Sequence, residues 1–152
     1  LTDSYECDGG CSSGSCSNPR GGICADAITL NSSTTVTDDL DAEPAVNPGR
    51  SAGDCSFDGP NHQPVGSDRI YAVPLKKGET LTADYVSSAP STVMYLLETC
   101  TDATTCRADT APDNQGVLQH TASKKQTVYL VMDRTVPGRT ESVDFKLDVD
   151  IK

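Results

Sequence analysis

VDFKLDVDI, residues Val143–Ile151, alternates apolar and charged side chains without a break: Val143, Phe145, Leu147, Val149 and Ile151 against Asp144, Lys146, Asp148 and Asp150. Successive side chains of a strand point to opposite faces, so this segment has one buried and one wet face; a helix would scatter the same apolar set around its circumference. QTVYLVMD, residues 126–133, behaves differently, being apolar at every position from Val128 to Met132. That is the pattern of an inner strand covered on both faces. Period two also holds outward from these segments, and no window of helical length carries an i, i+3, i+4 apolar stripe. The predicted strands are 27–30, 34–40, 69–75, 79–86, 92–98, 116–122, 126–133 and 141–151, separated by Gly, Pro, Asn and Asp clusters. Eight strands make an all-β, antiparallel two-sheet sandwich the expected fold. The last strand, if it lies at a sheet edge, is the acceptor for a strand donated by another chain, and its Asp144, Asp148 and Asp150 restrict that pairing.

The chain has 152 residues, one domain's worth, with a net charge of −10 and seven Cys; it has no Trp and only two Phe, which predicts an aliphatic core. Acidic residues outnumber basic ones 22 to 12 and the Lys and Arg residues are scattered along the chain. Such a charge repels phosphate backbones, which excludes nucleic acid as an expected partner. No run approaches the ~18 apolar residues of a transmembrane helix, and the start at Leu1, without a signal-like apolar stretch, reads as a processed chain. Residues 1–23, rich in Cys, Gly and Ser, have almost nothing to bury and form an expected irregular, disulfide-bonded segment ahead of a body at 24–152.

Seven Cys in so short a chain, without CxxC pairs, point to disulfides and an extracellular location. Cys100 and Cys106 bracket five residues and are expected to bridge; Cys24 and Cys55 form the expected second bridge, although spacing alone does not dictate it. Cys7, Cys11 and Cys16 are then an odd trio: either one of them links to another chain, or they form one local bridge and one free thiol, with zinc a third alternative that lacks a matching His.

For catalysis, His62 falls in a Pro-rich connection and His120 in a predicted strand, with no GxSxG elbow, P-loop, GxGxxG or HExxH pattern. The chain is therefore expected not to be an enzyme. Asp38, Asp39, Asp41, Glu43, Asp54 and Asp58 cluster at and within the long connection before residue 68. They are candidate ligands of a structural calcium, or acidic residues that simply keep the surface soluble. Asn31-Ser32-Ser33 is an N-glycosylation sequon. Tyr5, Tyr85 and Tyr95 are the candidate ligand contacts in a chain with little other material for stacking on a sugar.

The body resembles the bacterial pre-peptidase C-terminal domain family. The resemblance is carried by CADAITL at 24–30, DRIYAVPLKKGETL at 68–81, VMYLLETC at 93–100, QTVYLVMD at 126–133 and FKLDV at 145–149. It implies a jelly-roll-like β-sandwich with a hairpin turn at Gly78 and with Tyr71, Val73 and Leu75 facing one way. It also implies a non-catalytic role, since members are usually appendages of secreted hydrolases, some binding collagen or polysaccharide and some stabilised by calcium. Two functions follow as expectations. One is a structural or adhesive surface module that assembles with copies of itself through residues 1–23, as in a filament or surface layer. The alternative is an accessory domain that binds an extracellular polysaccharide or protein.

Overall fold

The computed structural model describes residues 11–12, 15–16, 24–40, 55, 68–135 and 143–152. Two short strands, β1 (Cys11–Ser12) and β2 (Ser15–Cys16), pair antiparallel with Cys11 opposite Cys16. The body contains β3 (Ile28–Thr29), β4 (Thr34–Leu40), β5 (Arg69–Leu75), β6 (Thr80–Ser87), β7 (Thr92–Leu97), β8 (Cys106–Asp109), β9 (Gln115–Thr121), β10 (Gln126–Arg134) and β11 (Val143–Ile151). Five of these form one sheet in the order β3-β5-β10-β7-β8, and four form the other in the order β4-β11-β6-β9. The fold is the all-β sandwich expected from the alternation. Among the described pairs, only β3 with β5 runs parallel.

Between the sheets lies the main core. Leu130 and Met132 of β10, Val73 of β5 and Leu96 of β7 meet Leu147 of β11 and Leu81 of β6, all fully buried. Each such side chain contributes about 1.5–3 kcal/mol through burial. The outer face of the five-stranded sheet is buried as well: Ile70, Val93, Tyr95, Leu97 and Val131 form a second cluster with Cys55, Cys100 and Cys106. This explains the unbroken apolar run of β10, whose even-numbered residues enter the main core while Tyr129 and Val131 face the second cluster.

Several expectations are corrected. β11 is not an edge strand, because β4 and β6 flank it along its length. β8 has no counterpart among the predicted strands, being only four residues long with Arg107 and Asp109 polar. The core is not aliphatic alone: Tyr71, Tyr85 and Tyr95 are among its largest fully buried side chains. Each hydroxyl donates a hydrogen bond, to Asp38 Oδ2 at 2.8 Å, the Thr92 carbonyl at 2.9 Å and Asp133 Oδ2 at 3.2 Å respectively. A buried phenol is tolerable only with such a partner. Gly116 leaves room for one of them, since a Cβ there would lie 2.8 Å from Tyr85 Cε1.

The disulfides join Cys24 to Cys100 and Cys55 to Cys106, each with Cα atoms 5.7 Å apart. The expected Cys100–Cys106 and Cys24–Cys55 bridges are therefore incorrect. A β-bulge brings Cys106 within reach of Cys55. Leu96 pairs with Ala108 but Leu97 pairs with Cys106, so Arg107 is an extra residue in β8. The extra residue reverses the alternation, placing Ala108 against the main core and Cys106 on the outer face, where Cys55 reaches it. Cys7 lies outside the described residues.

Peptide mapping of unreduced protein should recover Cys24–Cys100 and Cys55–Cys106 cross-links. Removing the second bridge with Cys55→Ser and Cys106→Ser should cost about 2–5 kcal/mol in urea unfolding.

Candidate functional site

Three chain segments meet at one end of the sandwich. The β5–β6 turn, Lys76-Lys77-Gly78-Glu79, needs a left-handed residue, and Gly78 supplies it with φ of 88°. This turn is joined to the β9–β10 turn by Gly78 N–H donating to the Ala122 carbonyl at 2.8 Å and Ala122 N–H to that of Glu79 at 2.9 Å. Thr80 and Lys152 exchange backbone hydrogen bonds of 2.7 and 3.1 Å, which fixes the end of β11 beside them. On the other side, Ser33 Oγ donates to Asp150 Oδ1 at 3.1 Å and accepts from Ile151 N–H at 2.8 Å.

These elements enclose a recess of about 800 Å³, within the size range of small-ligand sites. One wall is the exposed turn Asn31-Ser32-Ser33, and Gln126 and Thr127 form the facing wall. Pro74, Leu75 and Ile151 supply apolar surface, while Lys76, Glu79 and Lys125 bring charge to the rim. Asn31, the sequon residue, thus borders the recess.

Lysines that are scattered in the sequence are gathered here. Lys76 and Lys77 sit on one turn, Lys124 and Lys125 on the next, and Lys152 beside both. Five of the chain's six lysines therefore share one end of a molecule whose net charge is −10. The sequence signal was a Lys-Lys pair in each of two turns, informative only once both turns are known to lie together. Lys76 forms a 3.5 Å ion pair with Glu79, and Lys152 one of 2.7 Å with Asp150.

The candidate contact residues Tyr85 and Tyr95 are inaccessible core residues, so neither meets a ligand. Tyr5 lies outside the described residues. Of the six candidate calcium ligands, Asp41, Glu43, Asp54 and Asp58 also lie outside them. Asp38 and Asp39 are engaged in a link between sheets: Arg69 Nε lies 3.3 Å from Asp38 Oδ2, and Arg69 Nη2 lies 3.3 Å from Asp39 Oδ1. Burial, with the charge of Asp38, raises the Tyr71 pKa far above its ordinary value, so it remains a neutral donor to this cluster. Among the described residues, no three His, Cys, Asp or Glu side chains come together as a metal site.

His62 lies outside the described residues. His120 meets the Gln126 amide at 3.2 Å; burial lowers its pKa, and the charges of Glu98 and Arg107 pull in opposite directions. Absent from the sequence reading was an acid pair on the outer face of the five-stranded sheet. Asp68 and Asp133 follow the Met132–Arg69 pair on adjacent strands, and both are buried. Burial, reinforced by the charge of Asp133, raises the Asp68 pKa well above the carboxylate range.

Neither a protein-family model nor a curated protein matches the sequence. Solved structures do match. The pre-peptidase C-terminal domain of collagenase from Bacillus anthracis aligns over 82% of this chain and 94% of its own, with TM-score 0.52 and 14% identity. The fold is that of a pre-peptidase C-terminal domain. The same fold is seen in PliG from Aeromonas hydrophila, a periplasmic inhibitor of g-type lysozyme (TM-score 0.54, 11% identity, 83% and 96% of the two chains). It recurs in CorA, a surface-associated copper-binding protein of Methylomicrobium album BG8 (TM-score 0.51, 9% identity, 83% and 99%). The pre-peptidase C-terminal fold expected from the motifs is thus the one observed, and among the described residues no helix is long and apolar enough to cross a membrane.

Asp68 also makes stability depend on pH. Its folded pKa exceeds its unfolded one, so its contribution is complete below the ordinary aspartate range and is lost as pH rises through the folded value. Asp68→Asn should flatten this dependence and melt higher than the parent at pH 8 but not at pH 4, as calorimetry across that range would show.

Proposed function

We propose that this chain is a non-catalytic extracellular module that works by binding, holding a polysaccharide or a protein segment in the recess at the lysine-bearing end. The observation that carries this reading is the recess itself: about 800 Å³, open at one end of a rigid sandwich and walled by Asn31, Ser32, Ser33, Gln126 and Thr127. Side-chain amides and hydroxyls both donate and accept, which suits ligands rich in hydroxyl or peptide groups. The two disulfides support a location outside the reducing cytoplasm. The solved structures that share the fold include a pre-peptidase C-terminal domain of a collagenase, an inhibitor and a copper-binding protein, which supports a non-catalytic role.

Thr127→Trp would fill the recess from an exposed position. Parent and variant should be compared by pull-down on chitin, peptidoglycan and collagen fibrils, with circular dichroism as a folding control. Retention of the parent on at least one of these, weakened about tenfold or more in the variant, is expected. No retention, or retention indifferent to the substitution, would remove the reading.

Self-assembly is a second reading with its own observation. Val86 and Val117 are 54% and 58% exposed on neighbouring positions of β6 and β9, and β9 closes one edge of its sheet. An apolar pair beside an open edge suits contact with a second copy. Light scattering of the full chain should then report a multimer that Val117→Lys dissociates; a monomer would exclude it. Loss of the multimer on truncating residues 1–23 alone would assign assembly to that segment instead.

A further inference from the structure

We infer that the recess takes an anionic glycan, a sugar chain bearing carboxylate, sulfate or phosphate groups, with the gathered lysines as its charge-recognising rim. The inference rests on the binding role proposed above and adds the chemistry of the ligand.

Charge placement is the first support. An acidic chain would be expected to spread its few cations so that each offsets nearby carboxylates. Here five of six lysines converge on one end, held there by the backbone bonds between the two turns and Lys152. Glu79 and Asp150 offset Lys76 and Lys152, and the charge of Glu98 also reaches Lys124. Lys77, Lys124 and Lys125 are exposed beside the opening, and Lys125 lines it. Cations grouped this closely repel one another, and an anionic ligand relieves that repulsion.

The second support is the chemistry of the walls. Asn31, Ser32, Gln126 and Thr127 present amides and hydroxyls, each able to meet a sugar hydroxyl that itself donates and accepts. Pro74 and Ile151 provide the apolar surface against which the C–H face of a sugar ring rests. Among the described residues no aromatic side chain lines the recess, so charge and hydrogen bonding take the place of stacking there. An acidic peptide would satisfy the lysines, but each of its residues offers the walls one backbone donor and one acceptor, whereas each hydroxyl of a sugar ring is both, so the walls favour the glycan.

The test is equilibrium binding of the full chain to four soluble polymers: polygalacturonate, dextran sulfate, neutral dextran and polyglutamate. Lys124→Glu/Lys125→Glu reverses the rim charge at exposed positions, and Thr127→Trp fills the recess without altering charge; circular dichroism checks both folds. We expect binding to polygalacturonate or dextran sulfate that exceeds binding to polyglutamate and to dextran. It should weaken about tenfold or more in each variant. It should also fall between 0.1 M and 1 M salt, as the Debye length shrinks from about 10 Å to about 3 Å. A preference for polygalacturonate over dextran sulfate, or the reverse, tells carboxylated from sulfated glycans. Binding to neutral dextran that Thr127→Trp abolishes and charge reversal spares would overturn the anionic ligand and leave the recess as the binding site. Equal binding to polyglutamate, or binding that charge reversal abolishes and Thr127→Trp spares, would overturn the glycan assignment. Failure to bind any of the anionic polymers would overturn it outright.

Discussion

Burial of the five-stranded sheet on both faces is the constraint from which the rest of this structure follows. Its inner face packs on the four-stranded sheet, as in any sandwich. Its outer face, with Ile70, Val93, Tyr95, Leu97 and Val131, is packed against Cys55, Cys100 and Cys106. There covalent bonds reinforce packing. Cys55–Cys106 and Cys24–Cys100 lie at this face and restrict the unfolded chain, which offsets part of the entropy lost on folding.

What was legible in the sequence is what alternation encodes. The bounds of β4 and β5 coincide with those predicted, because each is a run of alternating or β-branched residues closed by a turn residue. β8 was illegible for a specific reason: it is short, and Arg107 interrupts its period. The disulfide pairing was illegible because Cys24, Cys55, Cys100 and Cys106 all meet at the outer-face cluster, so neither sequence proximity nor facing selects the partner. Tyrosine was misread through composition. A phenol counts as surface material until Asp38, the Thr92 carbonyl and Asp133 are seen waiting for the three hydroxyls. The recess was invisible because its walls come from four separated segments, and no local pattern links Asn31 to Lys125 and Ile151.

Charge is segregated on this scaffold. The outer face of the four-stranded sheet carries Asp84 from β6 and Asp144 and Asp148 from β11, with Lys146 held to Asp148 at 2.8 Å. The end beside it carries the lysines. A molecule with an acidic face and a basic end has a large dipole, and approach to a charged surface is oriented before contact is made. The sandwich sets this polarity, since a hairpin sheet returns alternate turns to the same end.

The disulfide network also determines how the body would carry load. Cys24 and Cys100 are 76 residues apart in sequence but joined by one covalent bond. Tension entering before Cys24 and leaving through the C-terminal strand passes directly between these sulfurs. The chain that lies between them, which includes β4 to β7, is shielded, and only the part beyond Cys100 can be drawn out. Stretching such a module would peel β11, β10, β9 and β8 and then stop at a covalent loop. A tether built this way yields a bounded length, and reduction of Cys24–Cys100 would add only the chain from Cys24 to Cys55, because Cys55–Cys106 still bridges the rest.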